Sequence, residues 1–201
     1  MPRLLPLFPL DLVLLPGVPL PLHIFEPRYK EMIGECLAQR LPFGVVRAKE
    51  EGIAETGCTA EILELVKRYD DGRMDILTVG RRRFEVVEVN HDRSFLQAEV
   101  MFIEDEPSQV PARDRQRALS LYEEIAEAAG SEAEVDPDSE LLSYQLAGAL
   151  PIDLDFKQGL LGVHSEAERL AGLIEFFEAI LPKLKKAARR REKAGGNGHV
   201  P

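Results

Sequence analysis

Thr59–Val79 reads TAEILELVKRYDDGRMDILTV, and the fold class follows from this stretch. Residues 59–69 are rich in Ile, Leu and Val with acids between them, Asp70-Asp71-Gly72 is a strong turn signal, and Met74–Val79 is the returning apolar run. Together they predict a β-hairpin. Downstream, Phe84–Val89 and Phe95–Ile103 form a second pair around the turn Asn90-His91-Asp92-Arg93-Ser94. In the last strand Leu96, Ala98, Val100 and Phe102 share one face, and Phe95, Gln97, Glu99, Met101 and Ile103 share the other. Upstream, Arg3–Phe8 and Phe43–Arg47 read as strands, and prolines restrict Leu20–Ile24 to an edge. Short antiparallel strands at this spacing predict a small barrel or pseudo-barrel.

One helix interrupts the strands. Pro27 suits a first helical turn, and Tyr29, Met32, Ile33, Cys36 and Leu37 form an apolar stripe at helical spacing. After Glu104-Asp105-Glu106-Pro107-Ser108 the strand signals stop. Arg113–Ala129 is helical and ends at Gly130; Glu140–Leu150 is closed by Pro151; Phe156–Leu161 is a short third helix. Ser165-Glu166-Ala167-Glu168 is a capping box that opens the longest helix, which runs to about Lys185 and is expected to kink or stop near Pro182. Its stripe is Leu170, Leu173, Ile174, Phe177, Ile180, Leu181 and Leu184. Gly195-Gly196-Asn197-Gly198 marks a disordered end.

The charge is unevenly placed. The chain carries a net −10; from Lys183 onward seven basic residues face one acid, which is +6 and leaves −16 on residues 1–182. An acidic body repels phosphate backbones and argues against nucleic-acid binding by the folded part. The apolar first 25 residues are neither a membrane span nor a secretion signal on this reading. Pro6, Pro9, Pro16, Pro19 and Pro21 break any spanning helix, and no basic region precedes an unbroken apolar run. Cys36 and Cys58 lack C-x-x-C or metal-ligand spacing and read as reduced, buried thiols of a cytoplasmic protein.

Candidate chemistry is sparse. No G-x-x-x-x-G-K-[ST] loop and no G-x-S-x-G elbow is present, and the seven serines read as loop or cap residues without a neighbouring base. His23 and Glu26 do not make a metal site by themselves. Asp153, Asp155 and Glu168 fall in loop and cap positions. Arg81 and Arg82, in the basic cluster Gly80–Arg83 after a strand, are either a grip for an anion or a loop paired with the acidic body. The proline-rich stretch Leu10–Pro21 offers Val13, Leu14, Leu15 and Val18. Two readings stay open there: an exposed apolar surface for an unfolded segment, or a plug in the barrel end.

Several stretches in order resemble the amino-terminal substrate-recognition domain of Lon proteases. They are Leu5-Pro6-Leu7-Phe8-Pro9-Leu10, Leu14-Leu15-Pro16-Gly17, Pro19-Leu20-Pro21-Leu22 and His23-Ile24-Phe25-Glu26-Pro27-Arg28-Tyr29 at the start, then Gly57-Cys58-Thr59-Ala60-Glu61-Ile62, Asp71-Gly72 and Val79-Gly80-Arg81-Arg82-Arg83-Phe84. Lys157-Gln158-Gly159-Leu160-Leu161 and Glu168-Arg169-Leu170 follow near the end. The resemblance implies an α+β protein: a PUA-like β pseudo-barrel with one helix over residues 1–108, a helical subdomain over 109–188, and a disordered basic tail over 189–201. It further implies a non-enzymatic, stand-alone peptide-binding module with no cofactor and no metal. Its expected site is an apolar groove between barrel and helices with a polar rim, using Val13, Leu14, Leu15, Val18, Arg81 and Arg82. The expected partners are unfolded or hydrophobic protein segments, with a protease or chaperone as a candidate further partner and no membrane. RNA binding through the basic tail is the competing expectation, since PUA-like folds include RNA binders.

Overall fold

In the computed structural model, residues 4–131 and 133–195 are described, with side chains through residue 187. The hairpin at the centre of the sequence forms as β4 (Ile53–Arg68) and β5 (Met74–Asn90). Its turn closes with the Tyr69 amide donating to the Arg73 carbonyl at 2.9 Å, and Gly72 supplies the positive φ of 83°. The remaining strands are β1 (Leu5–Leu10), β2 (Pro19–Ile24), β3 (Phe43–Ala48) and β6 (Gln97–Ile103). The order β2-β5-β4-β3-β1-β6 closes through a β5–β6 pairing, so β5, β4, β3, β1 and β6 make a ring. β1 and β3 are parallel and the other pairs antiparallel.

β5 is one strand of 17 residues, where separate strands at 74–79 and 84–89 with a loop at Gly80–Arg83 are expected from sequence. The backbone polar groups of that middle segment explain the difference. Gly80 donates to the Val18 carbonyl at 3.0 Å and accepts from the Gly17 amide at 2.9 Å, while the Arg82 amide donates to Thr59 Oγ1 at 3.0 Å. A bulge opposite Thr59 absorbs the bend, and β5 then exchanges β2 for β6 as its neighbour. Other bulges turn apolar side chains outward: Leu63, Val66 and Val87 are each the extra residue in a register shift, and each is exposed.

The ring is filled by Leu7, Val46, Phe84 and Ala98. Phe84 occupies space that Gly44 and Gly57 leave open, since a Cβ at either would meet its ring at 2.7 or 2.6 Å. Helix α1 (Pro27–Gln39) buries Tyr29, Met32, Ile33 and Cys36 of the expected stripe and leaves its fifth member, Leu37, half-buried, and the Phe8 and Tyr29 rings meet at 4.1 Å. Each such buried side chain contributes about 1.5–3 kcal/mol. The helix ends at Arg40, a left-handed residue at φ 54° whose amide donates to the Cys36 and Leu37 carbonyls.

The remaining helices are α2 (Ala112–Ala129), α3 (Leu142–Ala149), α4 (Leu154–Gly162) and α5 (Glu166–Gly195). The described residues up to 105 and those at 152–164 form one compact unit; 106–151 and those from 165 form a second. Residues 152–164, which sequence reading groups with the helices, thus belong with the strands, and α4 packs on β4. In the second unit α2 and α5 pack together, and α2 stops at Gly130, φ 68°. α5 starts behind Ser165, whose Oγ accepts from the Glu168 amide at 3.4 Å. It continues through Pro182 instead of stopping there and runs to Gly195, so the segment expected as a disordered tail is helical at 189–195; the rest of that tail lies outside the described residues.

The largest fully buried side chain is Arg169. Its Nη2 donates to Glu166 Oε2 at 2.9 Å, its Nε to Ser143 Oγ at 3.1 Å, and its guanidinium lies 4.4 Å from the Tyr144 ring centroid. Ser143, expected in a loop or cap, is instead inside α3 and buried, because its hydroxyl donates to Glu166 Oε2 at 2.6 Å.

Candidate functional site

The proline-rich loop is mostly inside. Leu14 and Leu15 are 3% and 1% exposed, and Val13 and Val18 are half-buried. The loop lies against Gly80 so closely that a Cβ there would sit 2.1 Å from the Leu15 carbonyl oxygen. Leu14 and Leu15 therefore act as core and have no side-chain surface to offer a ligand, which corrects the exposed alternative for those two residues.

The arginines that follow Gly80 have three different placements. Arg81 Nε donates to Glu61 Oε2 at 2.5 Å, and Arg82 Nη2 to Glu104 Oε1 at 2.5 Å. Arg83 points inward, 4% exposed, donating to the Leu161 and Val163 carbonyls at 2.7 and 2.6 Å and pairing with Asp105. Arg81 and Arg82 line a cleft; the four loop residues do not, so the six expected site residues do not come together in one place.

Two adjoining clefts run beside the end of α1 in the first unit. The larger, about 600 Å³, has apolar walls from Leu5 and Pro6 of β1, Leu41 and Pro42 after α1, and Val100 and Phe102 of β6. Glu35, Arg93, Gln97 and Glu99 form its polar rim. The smaller, about 490 Å³, is lined by Leu37, Arg40, Thr59, Ile62, Arg81 and Arg82 among others. Cys36, Leu41 and Pro42 belong to both. On the far side Arg82 stacks 3.8 Å from the centroid of the Phe102 ring, which is 40% exposed. An apolar trough with charged edges is a surface for an amphipathic chain.

Sequence reading places Phe102 on one face of β6 with Leu96, Ala98 and Val100, and it does not single out Arg40, Leu41, Pro42 or Arg93. The alternation is right, but Phe102 stands one residue from the end of its strand, where the barrel no longer covers it. The acids at 104–106 are the only sequence signal that a boundary is near.

Arg93 braces the rim. It donates to Glu31 Oε1 at 2.7 Å and to Glu35 Oε1 at 2.5 Å, while Ser94 Oγ donates to Glu31 Oε2 at 2.6 Å. These bonds hold both carboxyls below the usual range, the Ser94 hydroxyl acting most on Glu31 and Arg93 on Glu35. Burial pushes the Cys58 thiol up to about 12, so it is not a nucleophile at neutral pH. His23 Nδ1 lies 2.5 Å from Asp75 Oδ1, and Glu26 pairs with Arg28 instead. Asp153 caps α4 and Asp155 pairs with Arg47 at 2.5 Å. Among the described residues no group of three His, Cys, Asp or Glu is placed to hold a metal ion, and no helix is long and apolar enough to cross a membrane.

The profile of the ATP-dependent protease La (LON) substrate-binding domain matches residues 4–179. The chain belongs to the Lon substrate-binding domain family. Among Lon relatives, the Lon protease of Amoebophilus asiaticus is 25% identical over 87% of this chain and 24% of its own length. That of Cytophaga hutchinsonii is 24% identical over 92% and 25%. The chain thus spans about a quarter of the length of these Lon relatives. The Lon N-terminal domain protein from Xanthomonas campestris has a similar crystal structure, with TM-score 0.69 and 27% identity, covering 86% of this chain and 98% of that one. The N-terminal domain of the Mycobacterium avium complex Lon protease shares the fold, with TM-score 0.65, 19% identity and coverage of 88% and 98%. The strand-then-helix order is therefore that of Lon N-terminal domains, an α+β fold.

Proposed function

We propose that this chain is a non-catalytic module that holds exposed apolar segments of other polypeptides, and that the trough beside α1 is where it holds them. The observation that carries the reading is that Phe102, with 40% of its surface exposed and Arg82 stacked on its ring, lines the same cleft as Leu5, Pro6, Leu41 and Pro42. Burying such a ring under a ligand side chain favours binding without any reacting group. Membership of a substrate-binding family supports the same conclusion. Val13 and Val18 are half-buried and line neither cleft, and they are secondary contacts in this scheme. Acting in the cytoplasm, such a module serves protein quality control as a holdase or as an adaptor that hands clients to a protease or chaperone.

The test is to titrate an isotopically labelled sample with a short Leu- and Phe-rich peptide and follow backbone and methyl resonances. Shifts concentrated at Leu5, Leu41, Val100 and Phe102 are expected. Shifts concentrated at Val13 and Val18 with none at Phe102 would move the site to the proline-rich loop.

A further inference from the structure

We infer that the segments held in the trough carry a large apolar side chain with an acidic side chain within a few residues of it, whose carboxylate docks at Arg40. This deepens the reading of the trough as a polypeptide site and rests on it. The smaller cleft is lined by three guanidinium groups, Arg40, Arg81 and Arg82, and by one carboxylate, Glu61, in a chain whose net charge is −10. Arg81 and Arg82 are held by Glu61 and Glu104. Arg40 has no ion-pair partner among the described residues, and it is exposed.

The backbone at Arg40 is informative as well. It is the one described non-glycine residue with positive φ, at the cap position where glycine costs least. Glycine would end α1 equally well but would bring no charge to the cleft. Leu37, Leu41 and Ile62 line the same cleft and give it apolar surface beside the charged groups. At the other end of the trough the rim carries Glu35 and Glu99, and Arg93 is already committed to Glu31 and Glu35. The charge differs between the two ends of the trough, which places the apolar side chain at Phe102 and the acid at Arg40.

The experiment uses the full chain and peptides acetylated and amidated at their ends. They share one apolar core and carry Glu, Gln or Lys beside it, downstream in one set and upstream in a second, and affinity is read by fluorescence anisotropy. The Glu peptide is expected to bind about two- to fivefold tighter than the Gln peptide, the size of an exposed ion pair, with a margin that shrinks in high salt. The Lys peptide is expected to bind most weakly, against the general pull of an acidic protein. The Glu-to-Gln ratio is expected to fall to about one in both Arg40→Gln and Arg40→Gly, and to persist in Arg113→Gln, an exposed arginine of α2. Equal affinities for the Glu and Gln peptides, or a ratio that survives both Arg40 variants, would overturn the acidic preference while leaving the trough a polypeptide site. A gain that appears only when the terminal amide is replaced by a free carboxylate would also overturn it. Failure of every peptide to bind would overturn this inference and the polypeptide reading together.

Discussion

Replacing Gly80 by alanine is expected to unseat the proline-rich loop. The added Cβ would lie 2.1 Å from the Leu15 carbonyl oxygen and 2.9 Å from its carbon, both backbone atoms that cannot rotate away. Relief requires the loop to retreat by more than about 1 Å, since ordinary Cβ contacts begin near 3.4 Å. That movement breaks the bonds between Gly17 and Gly80 and between Gly80 and Val18, each contributing about 1 kcal/mol. It also loosens Leu14 and Leu15, whose burial contributes about 1.5–3 kcal/mol each when complete. With half of that burial lost, the total is about 3–5 kcal/mol. Gly34→Ala is the matched control. It lies inside α1 with nothing within 4 Å of the new Cβ, and is expected to stabilise by about 0.5–1 kcal/mol. Urea unfolding measures both, and amide exchange at Gly17 and Gly80 locates the change. A Gly80→Ala protein within 1 kcal/mol of the parent, with the Gly17 amide still protected, would refute the account of the loop as a plug.

Other outcomes follow from the buried charges and the rim. Arg169→Ala strands the Glu166 carboxylate in the core and is expected to cost about 3–5 kcal/mol in urea unfolding, whereas Arg169→Met together with Glu166→Gln is expected to cost much less; equal losses would contradict a paired buried ion. Arg83→Ala removes the donors that hold the Leu161 and Val163 carbonyls, so amide exchange across residues 152–164 is expected to accelerate by at least tenfold, and unchanged exchange there would contradict the tether. The Glu31 and Glu35 carboxyls titrate below their ordinary value of 4.5 in the folded protein, so their contribution is present at neutral pH and is lost as pH falls through the depressed folded values. Carboxyl NMR titration is expected to show both midpoints moving up toward the ordinary value in Arg93→Gln, and midpoints that do not move would contradict the bracing role.

The fold is legible in this sequence wherever local pattern and burial coincide. The Asp71-Gly72 turn, the Tyr29–Cys36 stripe and the Gly130 stop each state their structure in neighbouring residues. Legibility fails where the decisive partner is remote. β4 begins at Ile53 instead of Thr59, because Gly57 and Cys58 are small residues paired across to β3 and β5 without an alternating pattern of their own. β5 runs unbroken because its middle borrows partners from residues 17, 18 and 59. Arg169 gives no sign of its burial except a glutamate three residues earlier. The trough is assembled from β1, α1, the turn after it, β4, β5 and β6, and no single stretch contains enough of it to be read. The Gly80–Arg83 cluster stands between these cases: its pairing with acids is foreseeable from the −16 body, but the inward turn of Arg83 is not.

The central claim is that exposed apolar chain is held against Phe102. Fluorescence anisotropy of a labelled, permanently unfolded polypeptide tests it most directly, comparing the parent protein with Phe102→Ala and checking by urea unfolding that the variant stays folded. Saturable binding by the parent, and affinity about tenfold weaker in the variant, is the predicted result. Binding of equal strength by both proteins, or none by the parent, would contradict it.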